Sequence, residues 1–209
     1  MIPVADGVQT MKQAIRQSII ATRQNLTQSV RDEFSQRITD RLIGLPIYRE
    51  SDILLGYMSV GAEFSTSAWL EQAMRDGKEI WLPKVNRQTR QLDLYCVQDL
   101  RRDVAPGAWD IPEPLMERCD RMDGLADIDF ILLPGVAFGR DGARLGYGGG
   151  FYDKLLERIE TCRQDMPALV AAAFAMQVVD GIPMEDCDRR VDWLLTEQDV
   201  TDCSKGVAR

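Results

Sequence analysis

The stretch from Phe130 to Arg158, FILLPGVAFGRDGARLGYGGGFYDKLLER, constrains the fold more than any other part of the chain. The four apolar residues Phe130 to Leu133 lie between Asp129 and Pro134. So short a run without alternation is what a strand covered on both faces requires. Glycines at 135, 139, 142, 146, 148, 149 and 150 follow. From Phe151 the spacing of Tyr152, Leu155, Leu156 and Ile159 becomes helical. The local plan is therefore strand, glycine loop, helix.

That plan suits a phosphate site. Glycines lack Cβ atoms, so backbone N–H groups can converge on an anion, and the positive end of the following helix reinforces them. Plain tight turns use glycines too, so the loop alone leaves both readings open. Its neighbours narrow the choice. Arg144 brings a fixed fork of donors, Tyr152 a ring and a hydroxyl, and Asp153 a carboxylate in the first helical turn. A carboxylate beside phosphates is repelled unless a cation lies between them, so Asp153 points to magnesium. The other reading of Asp153 is a charge favoured by the helix dipole. The loop is not a Walker loop, because no Gly-Lys-Ser/Thr ends it, and it lacks the spacing of a dinucleotide fingerprint.

Composition removes whole classes of chemistry. There is no histidine, so Ser-His and Cys-His nucleophiles, histidine bases and histidine metal ligands are excluded. The formal charge of −8, from 25 basic and 33 acidic residues, disfavours nonspecific attraction to nucleic acid or anionic membrane. An anionic ligand then needs locally clustered cations. Five cysteines, at 96, 119, 162, 187 and 203, are odd in number and form no Cys-x-x-Cys pair, which argues for reduced thiols. No apolar run approaches the ~20 residues of a membrane span, and the first ten residues do not read as a signal peptide. A cytoplasmic protein is expected, with a monomer favoured.

Thr10-x-x-Gln13 has the pattern of a capping box, and Met11, Ile15, Ile19 and Leu26 repeat at helical spacing, so an amphipathic helix is expected from about residue 11. Lys12, Arg16 and Arg23 fall on one stripe bordering its apolar face. They are either solvated charge or the cations an anionic ligand needs. A second helix is expected from about Gln28 to Ile43, ended by Gly44 and Pro46. Ile53 to Met58 reads as a buried strand, followed by a loop carrying Glu63 and a helix that Thr66 could cap. Ile80 to Pro83 is another strand. Leu92, Leu94 and Cys96 alternate with polar or outward positions, as an antiparallel or edge strand would. Ala168 to Phe174 and Trp193 to Thr196 are further buried strands. The chain after Gln198 carries no signal.

Arg144-Leu145-Gly146-Tyr147-Gly148-Gly149-Gly150-Phe151-Tyr152-Asp153, preceded by Leu133-Pro134-Gly135-Val136-Ala137-Phe138, resembles the signature of the 5-formyltetrahydrofolate cyclo-ligase family, and the resemblance covers about residues 10–197. It implies ATP-binding roles for Lys12, Arg16 and the run Arg144, Leu145, Gly146, Tyr147, Gly148, Gly149, Gly150, Phe151 and Tyr152. It implies folate-binding roles for Met58, Glu63, Trp109 and residues 147–152, with Trp109 in a proline-rich loop that could equally be anchored by it. By the same resemblance Asp188 joins Asp153 as a carboxylate associated with Mg2+. A carboxylate at Glu63 suits a pterin, whose amino and ring N–H groups are donors. Some family members place a basic residue where this chain has Tyr147 or Gly149, and some have tyrosine at Phe151.

The expected fold is one three-layer α/β/α sandwich over residues 1–209 with a mostly parallel sheet, similar to the ribose-5-phosphate isomerase/CoA transferase-like fold. The implied activity is ATP-dependent cyclisation of 5-formyltetrahydrofolate. Sugar-phosphate isomerases and CoA transferases have comparable sheets and remain the alternative, because a phosphate loop alone does not separate them. A nucleotide-binding module without turnover is a third reading.

Overall fold

The structure, a computed structural model, describes residues 4–107, 111–185 and 188–206. Its elements in chain order are α1 (Val4–Gln24), α2 (Gln28–Gly44), α3 (Pro46–Glu50), β1 (Ile53–Leu55), α4 (Ser67–Arg75), β2 (Glu79–Asn86), β3 (Gln91–Val97), α5 (Leu100–Asp103), β4 (Val104–Pro106), β5 (Pro112–Pro114), β6 (Phe130–Leu132), β7 (Ala137–Phe138), β8 (Arg144–Leu145), α6 (Phe151–Cys162), β9 (Ala168–Ala172), β10 (Trp193–Leu195) and β11 (Val200–Asp202). Short 3-10 turns lie at Ala175–Gln177 and Cys203–Gly206.

A seven-stranded sheet runs in the order β11-β10-β9-β6-β1-β2-β3. The five inner strands are mutually parallel, and each edge strand is antiparallel to its neighbour. The apolar runs of the inner strands send successive residues to opposite faces, and each face has its own core. Leu54, Ile80, Leu82, Phe130, Leu132, Val170 and Ala172 pack with Ile38 and Leu42 of α2 and Trp69, Leu70 and Ala73 of α4. Leu55, Trp81, Ile131, Leu169 and Ala171 pack on the other face with Leu155, Leu156 and Ile159 of α6. This is the expected three-layer sandwich with a mostly parallel sheet. β3 is the antiparallel edge strand that its alternation predicted.

Several local expectations are corrected. α1 begins at Val4, so Thr10 lies inside the helix rather than capping it. Met11, expected on the apolar face, is 54 % exposed, while Lys12 and Arg23 are buried. Sequence periodicity assigns charge to the outside, but here the inward face of α1 is cationic. Thr66 flanks α4 without a side-chain cap. Its hydroxyl instead accepts from Ser59 N at 3.1 Å, and Ser59 Oγ accepts from Thr66 N at 3.2 Å, which fixes the loop after β1. β2 continues through Pro83 to Asn86. Beyond Trp81 it has only β3 beside it, which is where a residue without an N–H can sit in a sheet. α3, the β7–β8 hairpin and β11 had no counterpart in the sequence reading.

Candidate active site

Parallel strands deliver their carboxyl ends to one edge of the sheet, and the loops after β1 and β6 meet there beside Pro83 and Val85 of β2. After β6 the chain does not pass straight into the glycine loop. It first forms the β7–β8 hairpin, closed by the bond from Gly139 N to Ala143 O at 2.8 Å, which carries Arg144 to the edge. Buried Gln177 supports this turn, donating from Nε2 to Val136 O at 3.0 Å. α1 lies across the hairpin, with Ile19 packed among Val136, Ala137, Ala143, Leu145 and Ile182. The result is a cavity of about 700 Å³ whose walls include Met58, Glu63, Arg144 and the whole run from Gly146 to Asp153.

One wall has the chemistry of an anion site. Gly148 and Gly150 adopt φ of +96° and +67°, torsions that residues with a Cβ enter at a cost. Gly150 is the N-cap of α6, so the loop ends on the positive end of that helix. Arg16 donates from Nε to Gly146 O at 2.8 Å and sets its guanidinium beside Gly148. Arg144 is buried, donates from Nη1 to Pro134 O at 3.2 Å and from Nη2 to Asp153 Oδ1, and keeps a buried Nε without a partner.

Lys12 is 4 % exposed and donates to Glu185 Oε2 and Asp188 Oδ2, each at 2.8 Å. Burial alone would lower its pKa, but the two carboxylates outweigh that and raise it. Asp188 is the converse case. Burial would raise its pKa, yet the bonds from Lys12 and from Glu185 N, with the charges of Lys12 and Arg144, hold it below the ordinary value. An ammonium carries three donors, so among the described residues Lys12 retains one beyond these pairs.

The other wall is aromatic and apolar, with one acid. Glu63 Oε2 accepts from Val60 N at 2.8 Å, and Oε1 accepts from the Tyr147 hydroxyl. Tyr147 is 49 % exposed as a residue, but its hydroxyl end is enclosed between Glu63 and Arg23. That enclosure, with the Glu63 charge, pushes the phenol pKa well up. Burial does the same for Tyr57 and Tyr152, which also line the cavity. All three phenols are donors at neutral pH and none is a base.

Of the residues named from the sequence, Met58, Glu63, Arg144, Gly146, Tyr147, Gly148, Gly149, Gly150, Phe151, Tyr152 and Asp153 all line the one cavity. Lys12, Arg16 and Asp188 stand behind the glycine loop, on the α1 side. Leu145 is the exception, since its side chain is buried against Ile19 and Val136 and only its backbone could meet a ligand. Trp109 lies outside the described residues. Tyr57 and Glu113 line the cavity and were missed. Tyr57 sits in an apolar run that reads as strand interior. Glu113, held by Lys84 at 3.2 Å, sits between two prolines in a segment without periodicity. Among the described residues no group of three or more acidic or thiol side chains is arranged to hold a metal. A magnesium ion carried by phosphates needs only one or two carboxylates; here Asp153 is paired with Arg144 and Asp188 with Lys12.

The profile of the 5-formyltetrahydrofolate cyclo-ligase family matches residues 8–197. The mouse 5-formyltetrahydrofolate cyclo-ligase is 28 % identical over 195 residues, 91 % of this chain and 95 % of the mouse protein. The Haemophilus influenzae 5-formyltetrahydrofolate cyclo-ligase is 29 % identical over 85 % of this chain and 92 % of its own. The solved structure of Aquifex aeolicus 5,10-methenyltetrahydrofolate synthetase superposes with a TM-score of 0.80 at 31 % identity, covering 95 % of this chain and 96 % of that one.

Proposed function

We propose a division of labour that starts from one premise: this chain belongs to the 5-formyltetrahydrofolate cyclo-ligase family, and its reaction is the ATP-dependent closure of 5-formyltetrahydrofolate to 5,10-methenyltetrahydrofolate. One observation carries the proposal. The glycine loop with Arg144 and the Glu63–Met58 wall face each other across a single cavity, so a phosphate and a pterin can meet there.

The phosphates of ATP lie on the glycine loop, against the N–H groups of residues 146–150 and the cations Arg16, Arg144 and Lys12. The pterin lies against Met58 and Tyr57, with its amino and ring N–H donors on Glu63. Tyr152 and Phe151 stand between the two halves. The formyl oxygen attacks the γ-phosphate and ADP leaves. The second folate nitrogen then closes on the formyl carbon as inorganic phosphate departs. These residues position the reactants and stabilise charge, which is what phosphoryl transfer asks of a protein and what a chain without histidine can supply. Magnesium, held by Asp153 and Asp188 with the phosphates, would neutralise charge on the γ-phosphate. The whole site comes from one chain and one sheet, whose strands run from residue 53 to 202, which supports a single domain and suffices for a monomer. The free Cys96, Cys119, Cys162 and Cys203 suit a reducing, cytoplasmic setting, and no described helix is long and apolar enough to cross a membrane.

Separate titrations test the division. Arg16→Ala weakens ATP binding and leaves 5-formyltetrahydrofolate nearly unchanged, whereas Glu63→Ala does the reverse, each by about tenfold or more, as loss of a charged hydrogen bond allows. The opposite pattern overturns the assignment.

A further inference from the structure

Arg23 is 5 % exposed and lines the cavity, yet among the described residues no carboxylate lies within salt-bridge distance of it. Its Nε is buried without a hydrogen-bond partner. Burying a guanidinium with so little compensation is costly, so its one good contact is informative. That contact runs from Nη2 to the Tyr147 hydroxyl at 2.8 Å, with the guanidinium 6.0 Å from the ring centroid. A cation at the oxygen of a phenol polarises the O–H, and this O–H donates to Glu63 Oε1.

The other end of the same carboxylate is fixed as well, because Oε2 accepts from Val60 N at 2.8 Å. A carboxylate offers about four acceptor positions, two on each oxygen. With Tyr147 on one oxygen and Val60 on the other, the plane of the group is set and one position on each oxygen stays open. Two parallel donors, such as the 2-amino group and N3–H of a pterin, match that opening. We propose that Arg23 and Tyr147 are positioning residues for Glu63, aligning its carboxylate for the pterin edge. This rests on the folate reading above. It makes α1 contribute to both halves of the site, with Arg16 on the phosphate loop and Arg23 acting through Tyr147 on the folate acid.

The test uses the full chain, titrated with 5-formyltetrahydrofolate and separately with ATP and magnesium, with a thermal melt for each variant. Tyr147→Phe keeps the ring and backbone and removes only the hydroxyl. It should weaken folate binding about tenfold while ATP affinity and melting stay close to those of the unsubstituted chain. Arg23→Met should move folate binding in the same direction, and Arg23→Lys should recover part of the loss. In a Glu63→Ala background Tyr147→Phe should add almost nothing, because the group it aligns is gone. Unchanged folate affinity in Tyr147→Phe overturns the inference, as do losses that add in full with Glu63→Ala. A loss confined to ATP in Arg23→Met also overturns it. If the unsubstituted chain binds no 5-formyltetrahydrofolate, the folate reading fails and the inference falls with it; folate binding indifferent to Tyr147→Phe removes the inference alone.

Discussion

Gly148 and Asp153 sit in the same loop and should fail in different ways. At Gly148 a Cβ would stand 3.6 Å from the Arg16 guanidinium carbon, an ordinary contact, so space is not the obstacle. The φ of +96° is, and alanine there costs roughly 1–2 kcal/mol or moves the backbone. Moving the backbone displaces N–H donors that phosphoryl transfer needs in place to within about 1 Å. Gly148→Ala should therefore lower kcat/KM by about tenfold or more while shifting the melting temperature only a few degrees. Asp153→Asn keeps shape and helix but loses charge, both toward Arg144 and toward a metal. Part of its lost activity should return as magnesium is raised, whereas the glycine variant stays impaired. Turnover of both variants across a magnesium titration decides this, and two normal enzymes would make the loop a structural turn. That the loop needs glycines was legible, but which of them take positive φ was not, since neighbouring Gly146 and Gly149 do not. The Lys12–Asp188 pair was not legible, because 176 residues separate its partners and no local pattern records such a contact.

At the scale of elements, α1 is the unusual one. It spans 21 residues yet is buried chiefly through Ile19 and its neighbours over the hairpin, outside the two cores that clamp the sheet. Its other ties include Gln9 and Lys12 to Glu185, Lys12 to Asp188, Arg16 to Gly146 O and Arg23 to Tyr147. A helix held largely by side chains that the proposed function also assigns to ligands should tighten when the ligands bind. Hydrogen exchange measured with and without ATP and magnesium should show slowing across residues 12–23 and 146–150, with β6 and β9 unchanged. Protection confined to the core strands would contradict this role. The helix was readable from Ile15 and Ile19, but its orientation was not, since periodicity counts Lys12 and Arg23 as surface. The buried strands β1, β6, β9 and β10 were readable as short apolar runs. β11 was not, because Val-Thr-Asp has no apolar alternation, and the two-residue strands of the β7–β8 hairpin look like the loop around them.

For the whole molecule, the sheet and the site are one design. In a parallel sheet buried on both faces, ligands bind outside the carboxyl ends of the strands, and the motif residues gather at that edge. Glu63 and Tyr152 were legible because one follows a strand and the other opens a helix at that edge, whereas Met58 was named only through the family resemblance and Arg144 through the glycine motif. Tyr57, Glu113 and the chain from Arg23 through Tyr147 to Glu63 were not, because they depend on how three separate segments pack. In the proposed function, this cavity brings the formyl oxygen of a reduced folate to the γ-phosphate of ATP. The most direct measurement is to incubate the pure protein with ATP, magnesium and 5-formyltetrahydrofolate labelled with heavy oxygen in its formyl group, following methenyl absorbance and the label in released phosphate. Methenyl product that forms only with all components present, accompanied by labelled phosphate, is the predicted result; no product, or product with unlabelled phosphate, would contradict it.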